Sequence, residues 1–171
     1  MPSRDALLAA ARAAAVPAHA PYSQFRVGAV VLAHDGRMFP GCNVENASYG
    51  LTLCAERAAL AAAITAGARR ILAVAVSCLD AHAGLGPEGR SPCGACRQWM
   101  LELAPDAVVH IDGIERSVPV QDLLPMGFRL MPRGKGPARG MAGATSTQRP
   151  KKGLPGAARV SQSRPSRRRG G

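Results

Sequence analysis

The sequence predicts an α/β fold in which a mixed β-sheet carries helices on its faces. Apolar, strand-like runs alternate with alanine-rich helical runs throughout residues 1–131. The first two strand-like runs are joined by an Asp-Gly pair, which is typical of an antiparallel hairpin. The later order of strand, helix, strand, helix and strand is typical of right-handed crossovers.

The first elements follow from local sequence signals. An alanine-rich segment predicts a helix over residues 5–16, ended by a proline. Two β-prone runs, 25–32 and 38–44, predict a hairpin around Asp35 and Gly36, and a polar loop follows.

The remaining elements alternate between helix and strand. An alanine-rich run predicts a helix over 54–66, which ends at Gly67. Ser91 and Pro92 are typical of a helix start, with Ser91 as the N-cap and Pro92 at the first helical position. The other predicted elements are a buried strand at 71–76, a helix at 93–103, a strand at 107–111 and a short helix or turn at 120–124.

Charge divides the chain near residue 132. Residues 1–131 contain eleven arginines and eleven acidic residues, so their net charge is zero. Residues 132–171 contain eight arginines, three lysines and no acidic residue, so they carry the whole net charge of +11. We expect a folded domain at 1–131 and a basic, Gly/Pro/Arg-rich, disordered tail at 132–171. The tail is either a dispensable extension or a nonspecific nucleic-acid tether.

Cysteine usage and hydropathy indicate the compartment. The chain has five cysteines, an odd number, and no apolar run near the ~20 residues that a membrane span needs. Charged residues interrupt the alanine-rich start of the chain, which argues against a secretory signal. A reducing cytoplasm and no membrane partner are therefore expected. Cys42 and Cys78 lie in strand-like stretches and are interpreted as core thiols.

Four side chains in two short segments predict a catalytic metal site. Cys54, Cys93 and Cys96 offer three thiolates, which can hold zinc and leave its fourth position open for water. Cys93 and Cys96 are spaced i, i+3 and share one helix face. Glu56 could move the protons of that water, but residues i and i+2 of a helix point apart. Cys54 and Glu56 can reach one cleft only if the helix begins at Cys54 or very near it.

Two arginines directly follow residues of these segments. Three thiolates on Zn²⁺ sum to a charge of −1, so a hydrogen-bond donor beside the sulfurs would offset it. Arg57 and Arg97 are therefore expected to donate to the ligand sulfurs, and the alternative is that they are ordinary surface arginines.

The Cys-Ala-Glu and Pro-Cys-x-x-Cys segments resemble the zinc-dependent nucleoside and base deaminases. Segments 21–29, 41–49 and 123–128 resemble the small homotetrameric cytidine deaminases more specifically. The resemblance runs from about Leu7 to Leu130. It implies a catalytic domain over 1–131, built as a three-layer αβα sandwich around a mixed five-stranded sheet. It also implies one zinc per subunit and hydrolysis of cytidine and 2′-deoxycytidine to uridine and 2′-deoxyuridine with release of ammonia, a reaction of pyrimidine salvage.

The resemblance also implies residue roles. Cys54, Cys93 and Cys96 would bind zinc, with water as the fourth ligand, and Glu56 would shuttle protons between water, ring N3 and the leaving amine. The implied substrate contacts are Asn43 and Glu45 for the ribose hydroxyls, the backbone around Ala55 and Ser91 for the pyrimidine edge, Phe25 for the base, and Tyr49 and Phe128 for a neighbouring subunit's site. Phe25 and Phe128 could instead be core aromatics.

Three alternatives remain at this stage. A deaminase of RNA or single-stranded DNA would suit the basic tail, but the neutral domain lacks a basic groove with interleaved aromatics. A deaminase of a blasticidin-type nucleoside antibiotic would share the zinc segments. A purely structural zinc module would need a fourth ligand from Cys42, Cys78 or His110, none of which has a ligand-like spacing. The preference between cytidine and deoxycytidine is left open.

Overall fold

Residues 1–130 are described by a computed structural model, and the predicted tail at 132–171 lies outside the described residues. The described part contains these helices and strands: α1 Arg4–Ala15, β1 Val27–Ala33, β2 Met38–Cys42, α2 Ala55–Thr65, β3 Ile71–Cys78, α3 Gly94–Leu103, β4 Val108–Ile111, β5 Val118–Pro119 and α4 Val120–Leu123. Single 3₁₀ turns occur at Tyr49–Leu51 and Pro87–Gly89. No helix within residues 1–130 is long and apolar enough to cross a membrane.

The five strands form one mixed sheet in the order β2-β1-β3-β4-β5. Strand β1 is antiparallel to both β2 and β3, and β5 is antiparallel to β4. The parallel pair is β3 and β4, which are joined through α3. The loop that leaves the carboxyl end of β3 therefore leads directly to the N-terminus of α3.

Alternating side chains of β1 separate two hydrophobic layers. Val30 and Leu32 pack with α1 on one face of the sheet. Ala29 and Val31 belong to the larger core that includes α2 and α3 on the other face. The predicted three-layer α/β class with a mixed five-stranded sheet is confirmed.

Two glycines let the helices lie directly on the sheet. A Cβ at Gly28 would stand 2.9 Å from Ala15 Cα and closer still to Ala11 O, both in α1. A Cβ at Gly41 would stand 2.5 Å from Ala59 N, in α2. The backbone of α2 is thus held against β2 at the end of the helix that carries Cys54 and Glu56.

The predicted start of α3 is wrong. Its N-cap is Cys93, with φ −66° and ψ 165°, and the helix begins at Gly94. Ser91 lies two residues before the cap, and its hydroxyl accepts a hydrogen bond from the Arg97 side chain. Pro92 consequently lies before the helix rather than in its first turn. At α2 the expectation is confirmed, since Cys54 is the N-cap and Ala55 the first helical residue.

Candidate active site

Three cysteine sulfurs converge where α2 and α3 begin. Their Sγ atoms all lie within 4.8 Å of one another, with 3.9 Å between Cys54 and Cys93 and 3.5 Å between Cys93 and Cys96. Sulfurs bound at ~2.3 Å to one tetrahedral zinc would be about 3.8 Å apart, so the donor set fits this ion. Among residues 1–130, Cys42, Cys78 and His110 are not part of the cluster. Three protein ligands with an open fourth position are typical of a catalytic rather than a structural site.

The helix ends explain why these sulfurs meet. Cys54 and Cys93 have extended backbone conformations at the N-caps, so both side chains project from a helix end. Cys96 lies in the first turn of α3 and is fully buried. The N–H groups and the dipole of each helix favour the thiolate form at such positions.

Cys54 and Cys96 differ in how readily their thiols lose a proton. A hydrogen bond from Cys96, helped by Arg57, lowers the pKa of Cys54 to about 5. The pKa of Cys96 is raised by its interaction with the neighbouring Cys54 and by burial of the side chain. Of these two sulfurs, Cys54 therefore holds negative charge more readily.

Glu56 lies beside the cluster in the first turn of α2. Its side chain is only 4% exposed, and Oε2 is 3.5 Å from Cys96 Sγ. Burial raises the pKa of Glu56, since desolvation disfavours the carboxylate. A raised pKa makes this carboxyl a better proton donor than an exposed glutamate, and its ionised form can still accept a proton.

The two neighbouring arginines differ in what they contact. Arg57 Nη2 donates to Cys54 Sγ at 3.7 Å and to Thr52 O at 2.7 Å. The expectation that Arg97 donates to the ligand sulfurs is wrong. Its donors reach Pro92 O at 2.7 Å, Ser91 Oγ at 2.9 Å and Leu123 O at 3.0 Å. Arg97 is the residue after Cys96 in α3, and successive side chains of a helix point in different directions. Its side chain therefore faces these oxygens and not the sulfurs.

A cavity of about 260 Å³ opens beside the cluster. The predicted residues that line it are Phe25, Asn43, Glu45, Cys54, Ala55, Glu56, Ser91 and Cys93. Sequence reasoning missed the other lining residues, namely Ser23, Val27, Thr52, Val76, Cys78, Gly89 and Arg90. Cys78 was interpreted as a core thiol; it is half-buried, and burial raises its pKa to about 11. Its place at the carboxyl end of a parallel strand was the available signal, because ligand sites form at such ends.

Asn43 and Glu45 hold the loop that carries Phe25. Asn43 is 8% exposed; its Oδ1 accepts from Val27 N at 2.8 Å, and its Nδ2 donates to Phe25 O at 3.0 Å. Glu45 Oε2 accepts from Tyr22 N at 2.9 Å and Ser23 N at 3.2 Å, and Oε1 accepts from the Ser23 hydroxyl. The Ser23 hydroxyl is the main cause that lowers the pKa of Glu45. These contacts also give both residues a structural role that the sequence did not indicate.

Tyr49 and Phe128 lie outside the cavity lining. Their side chains are 77% and 68% exposed. Tyr49 packs edge-to-face on Tyr22, with 6.2 Å between ring centroids, beside a second hollow of about 390 Å³ that shares Glu45 with the first. The backbone of Phe128 is tied to α3, because Gln98 Nε2 donates to Phe128 O at 2.8 Å.

A family match and individual sequence relatives of this chain indicate the same protein family. Residues 1–111 match the family described as "Cytidine and deoxycytidylate deaminase zinc-binding region". The cytidine deaminase of Mycobacterium tuberculosis is 48% identical over 117 residues, covering 68% of this chain and 83% of that protein. The cytidine deaminase of Halalkalibacterium halodurans is 43% identical over 129 residues, covering 73% and 93%.

Solved structures agree with the sequence relatives. The crystal structure of cytidine deaminase from Burkholderia pseudomallei is 47% identical with a TM-score of 0.67, and the match covers 74% of this chain and 100% of that chain. The structure from Mycobacterium tuberculosis is 41% identical with a TM-score of 0.66, covering 76% and 100%.

Proposed function

Since the chain belongs to the cytidine and deoxycytidylate deaminase family, we propose that it hydrolyses cytidine and 2′-deoxycytidine to uridine and 2′-deoxyuridine and releases ammonia. The observation that carries this proposal is the cluster of three cysteine sulfurs beside the buried Glu56. Cys54, Cys93 and Glu56 line one cavity. Cys54, Cys93 and Cys96 would hold one zinc ion per subunit. When bound, zinc supplies Lewis acidity and generates a water-derived nucleophile at neutral pH.

Glu56 would move the protons of the reaction. It would accept one proton from the attacking water and deliver it to ring N3, and then accept the second proton from the added hydroxyl and transfer it to the amine that leaves from C4. The water oxygen then replaces the amine on the ring, and ammonia departs. Burial supports this role, because a raised pKa lets one carboxyl serve as base and then as acid.

The cavity favours a free nucleoside over a nucleotide. Hydrogen bonds from Ser23 and Tyr22 lower the pKa of Glu45, so a charged carboxylate lines the proposed ribose end. Residues 1–131 contain no lysine. Of the nearby arginines, Arg26 pairs with Asp80 at 2.6 Å, and Arg90 donates to backbone carbonyls. Among residues 1–130, a phosphate on the sugar would therefore meet a carboxylate without a matching cation, which argues against deoxycytidylate as substrate.

The remaining substrate contacts are proposed from the same cavity. Asn43 has one amide hydrogen beyond the bond to Phe25 O, and Glu45 has free lone pairs, so both can still bind ribose hydroxyls. Phe25 would lie against the base. The backbone N–H of Ala55, at the start of α2, would face the pyrimidine edge.

We further propose a homotetramer whose sites are completed across interfaces by Tyr49 and Phe128. The support is a set of exposed apolar side chains: Tyr49, Leu51, Met126, Phe128 and Leu130. Subunit mixing tests it. Glu56→Gln subunits and Phe128→Ala subunits should be weak alone and regain activity when mixed, because an intact Glu56 then meets an intact neighbouring Phe128. No recovery in mixed oligomers would contradict completion in trans.

We also propose that the protein acts in the cytoplasm, in pyrimidine salvage. All five cysteines are free thiols, and three of them must stay reduced to act as ligands. The cytoplasm provides that condition.

The tail at 132–171 is proposed to bind nucleic acid without sequence preference and to play no part in catalysis. The support is its charge of +11 beside a neutral domain. A chain truncated after Leu130 should deaminate cytidine as the full chain does but lose salt-dependent retention of single-stranded DNA. Loss of deamination on truncation would contradict the proposal that the tail plays no part in catalysis.

The decisive experiment is ammonia release from cytidine by the purified full-length protein. Activity should disappear with a chelator and return with zinc, and deoxycytidylate and blasticidin-type nucleosides should be poorer substrates. Stoichiometric zinc without turnover of any pyrimidine nucleoside would instead indicate a structural zinc module.

A further inference from the structure

The loop between β3 and α3 forms one wall of the cavity. This rim loop, residues 79–92, contributes Gly89, Arg90 and Ser91 to the lining. It contains one 3₁₀ turn and no other regular element, so its shape must come from specific contacts rather than from a helix or a strand.

The Arg90 side chain holds the rim loop together. Its Nε donates to Leu85 O at 2.9 Å and its Nη2 to His82 O at 2.8 Å. The planar guanidinium thus satisfies two carbonyls of the loop that carries it. It lies over Gly113, where a Cβ would be 3.1 Å from Nη1. The missing side chain of Gly113 leaves the space that Arg90 occupies.

Further contacts hold the backbone of the rim loop on either side of Arg90. Cys78 Sγ donates to Arg90 O at 3.8 Å, and Ser91 N donates to Pro87 O at 2.9 Å. The Leu85 side chain covers Gly89, where a Cβ would be 2.5 Å from Leu85 Cγ. The arginine and the backbone contacts therefore act on one short stretch, 89–91, which is the stretch that lines the cavity.

Arg97 holds the other end of this stretch through Ser91 Oγ and Pro92 O. Since the Ser91 N–H is already used within the loop, the carbonyl is the Ser91 backbone group that remains to meet a ligand. Displacement of the rim loop would move that acceptor relative to Cys54 and Glu56, which are held separately at the start of α2.

We infer that Arg90 is a positioning residue, which sets the distance between the rim-loop wall and the pyrimidine base; this rests on the proposed function. The reacting groups are on other elements. Loss of the Arg90 contacts should therefore weaken substrate binding more than it slows the chemical step.

Steady-state kinetics of the zinc-loaded full chain on cytidine test this role. Arg90→Ala should raise KM about tenfold, the size expected when one or two neutral hydrogen bonds are misplaced, with kcat within about threefold. Arg90→Lys keeps the charge but cannot reproduce the two-carbonyl fork, so its KM should stay raised. Gly113→Ala crowds the guanidinium and also strains the backbone at φ +82°, so it should shift KM in the same direction and lower stability. The matched control is Arg116→Ala, because Arg116 is exposed and makes no side-chain hydrogen bond within residues 1–130.

The outcomes separate the two levels of the proposal. An unmodified protein without activity on cytidine would refute the proposed function. An active unmodified protein whose Arg90→Ala variant keeps its KM would refute the positioning role alone. A KM in Arg90→Lys that equals that of the unmodified protein would assign the effect to charge. Loss of zinc and of kcat at unchanged KM would show that Arg90 only stabilises the fold. Either result overturns the inference.

Discussion

Gly41→Ala should impair catalysis through the position of a helix rather than through any reacting group. The new Cβ would stand 2.5 Å from Ala59 N and 2.7 Å from Ala55 O. The closer distance is about 0.9 Å short of the 3.4 Å at which ordinary contact begins. Both atoms belong to the helix backbone and cannot rotate aside, so α2 must move away from β2.

The expected effect has two measurable parts. Overpacking of this kind lowers the free energy of unfolding by about 1–3 kcal/mol. A shift close to 1 Å at the end of α2 that carries Cys54 and Glu56 should lower kcat about 10- to 100-fold. Urea denaturation, zinc content and initial rates of ammonia release measure the three quantities on one preparation.

Gly28→Ala is the matched control. It adds the same methyl group to the neighbouring strand but crowds α1, on the opposite face of the sheet. It should lower stability at least as much, while the zinc-loaded folded protein keeps its kcat. The reasoning is refuted if Gly41→Ala loses stability but keeps kcat within about twofold, or if Gly28→Ala loses kcat equally.

Three further predictions concern single groups. Glu56→Gln should retain zinc and bind cytidine yet lose about 10²- to 10⁴-fold in turnover, the usual share of general acid–base catalysis; activity within a few-fold would contradict its role. Ser23→Ala removes one of three donors to Glu45, so KM for cytidine should rise a few-fold with unchanged kcat, and an unchanged KM would argue against Glu45 as a ribose ligand. The pKa of Asp80 is lowered from 3.8 to about 2 by the Arg26 side chain, so its contribution to stability is complete above the unfolded value and declines as pH falls towards 2. Asp80→Asn should therefore lower the urea midpoint more near pH 7 than at about pH 3, and equal losses would contradict the ion pair's role.

Sequence reasoning succeeded where a geometric constraint acted on neighbouring residues. Cys54 and Glu56 cannot share a face of a helix, and this placed the start of α2 at the cysteine, as the structure has it. The mixed sheet followed similarly from an Asp-Gly turn and from the crossover order. Strand β5 had no comparable signal, because it spans two residues and one of them is Pro119.

It failed where the partner of a side chain is a backbone carbonyl, whether nearby or distant along the chain. Arg97 was assigned to sulfurs next to it in sequence, but it binds Leu123 O and the backbone before α3. The role of Arg90 has no signal in the sequence, because the space for its side chain is provided by Gly113, in the turn after β4. Side-chain type indicates what can be donated, whereas the position of an unpaired carbonyl emerges only from the folded backbone.

The cysteine caps of α2 and α3 have a thermodynamic consequence. Globular helices usually begin with Ser, Thr, Asp or Asn, whose side chain binds a first-turn N–H. Neither Cys54 nor Cys93 makes such a bond, so both first turns lack a local restraint against fraying. A metal ion shared by the two caps restrains both turns at once, and its affinity includes the free energy of ordering them. Amide hydrogen exchange in these turns should therefore slow together on zinc loading, and mild denaturant should weaken zinc affinity before the sheet unfolds.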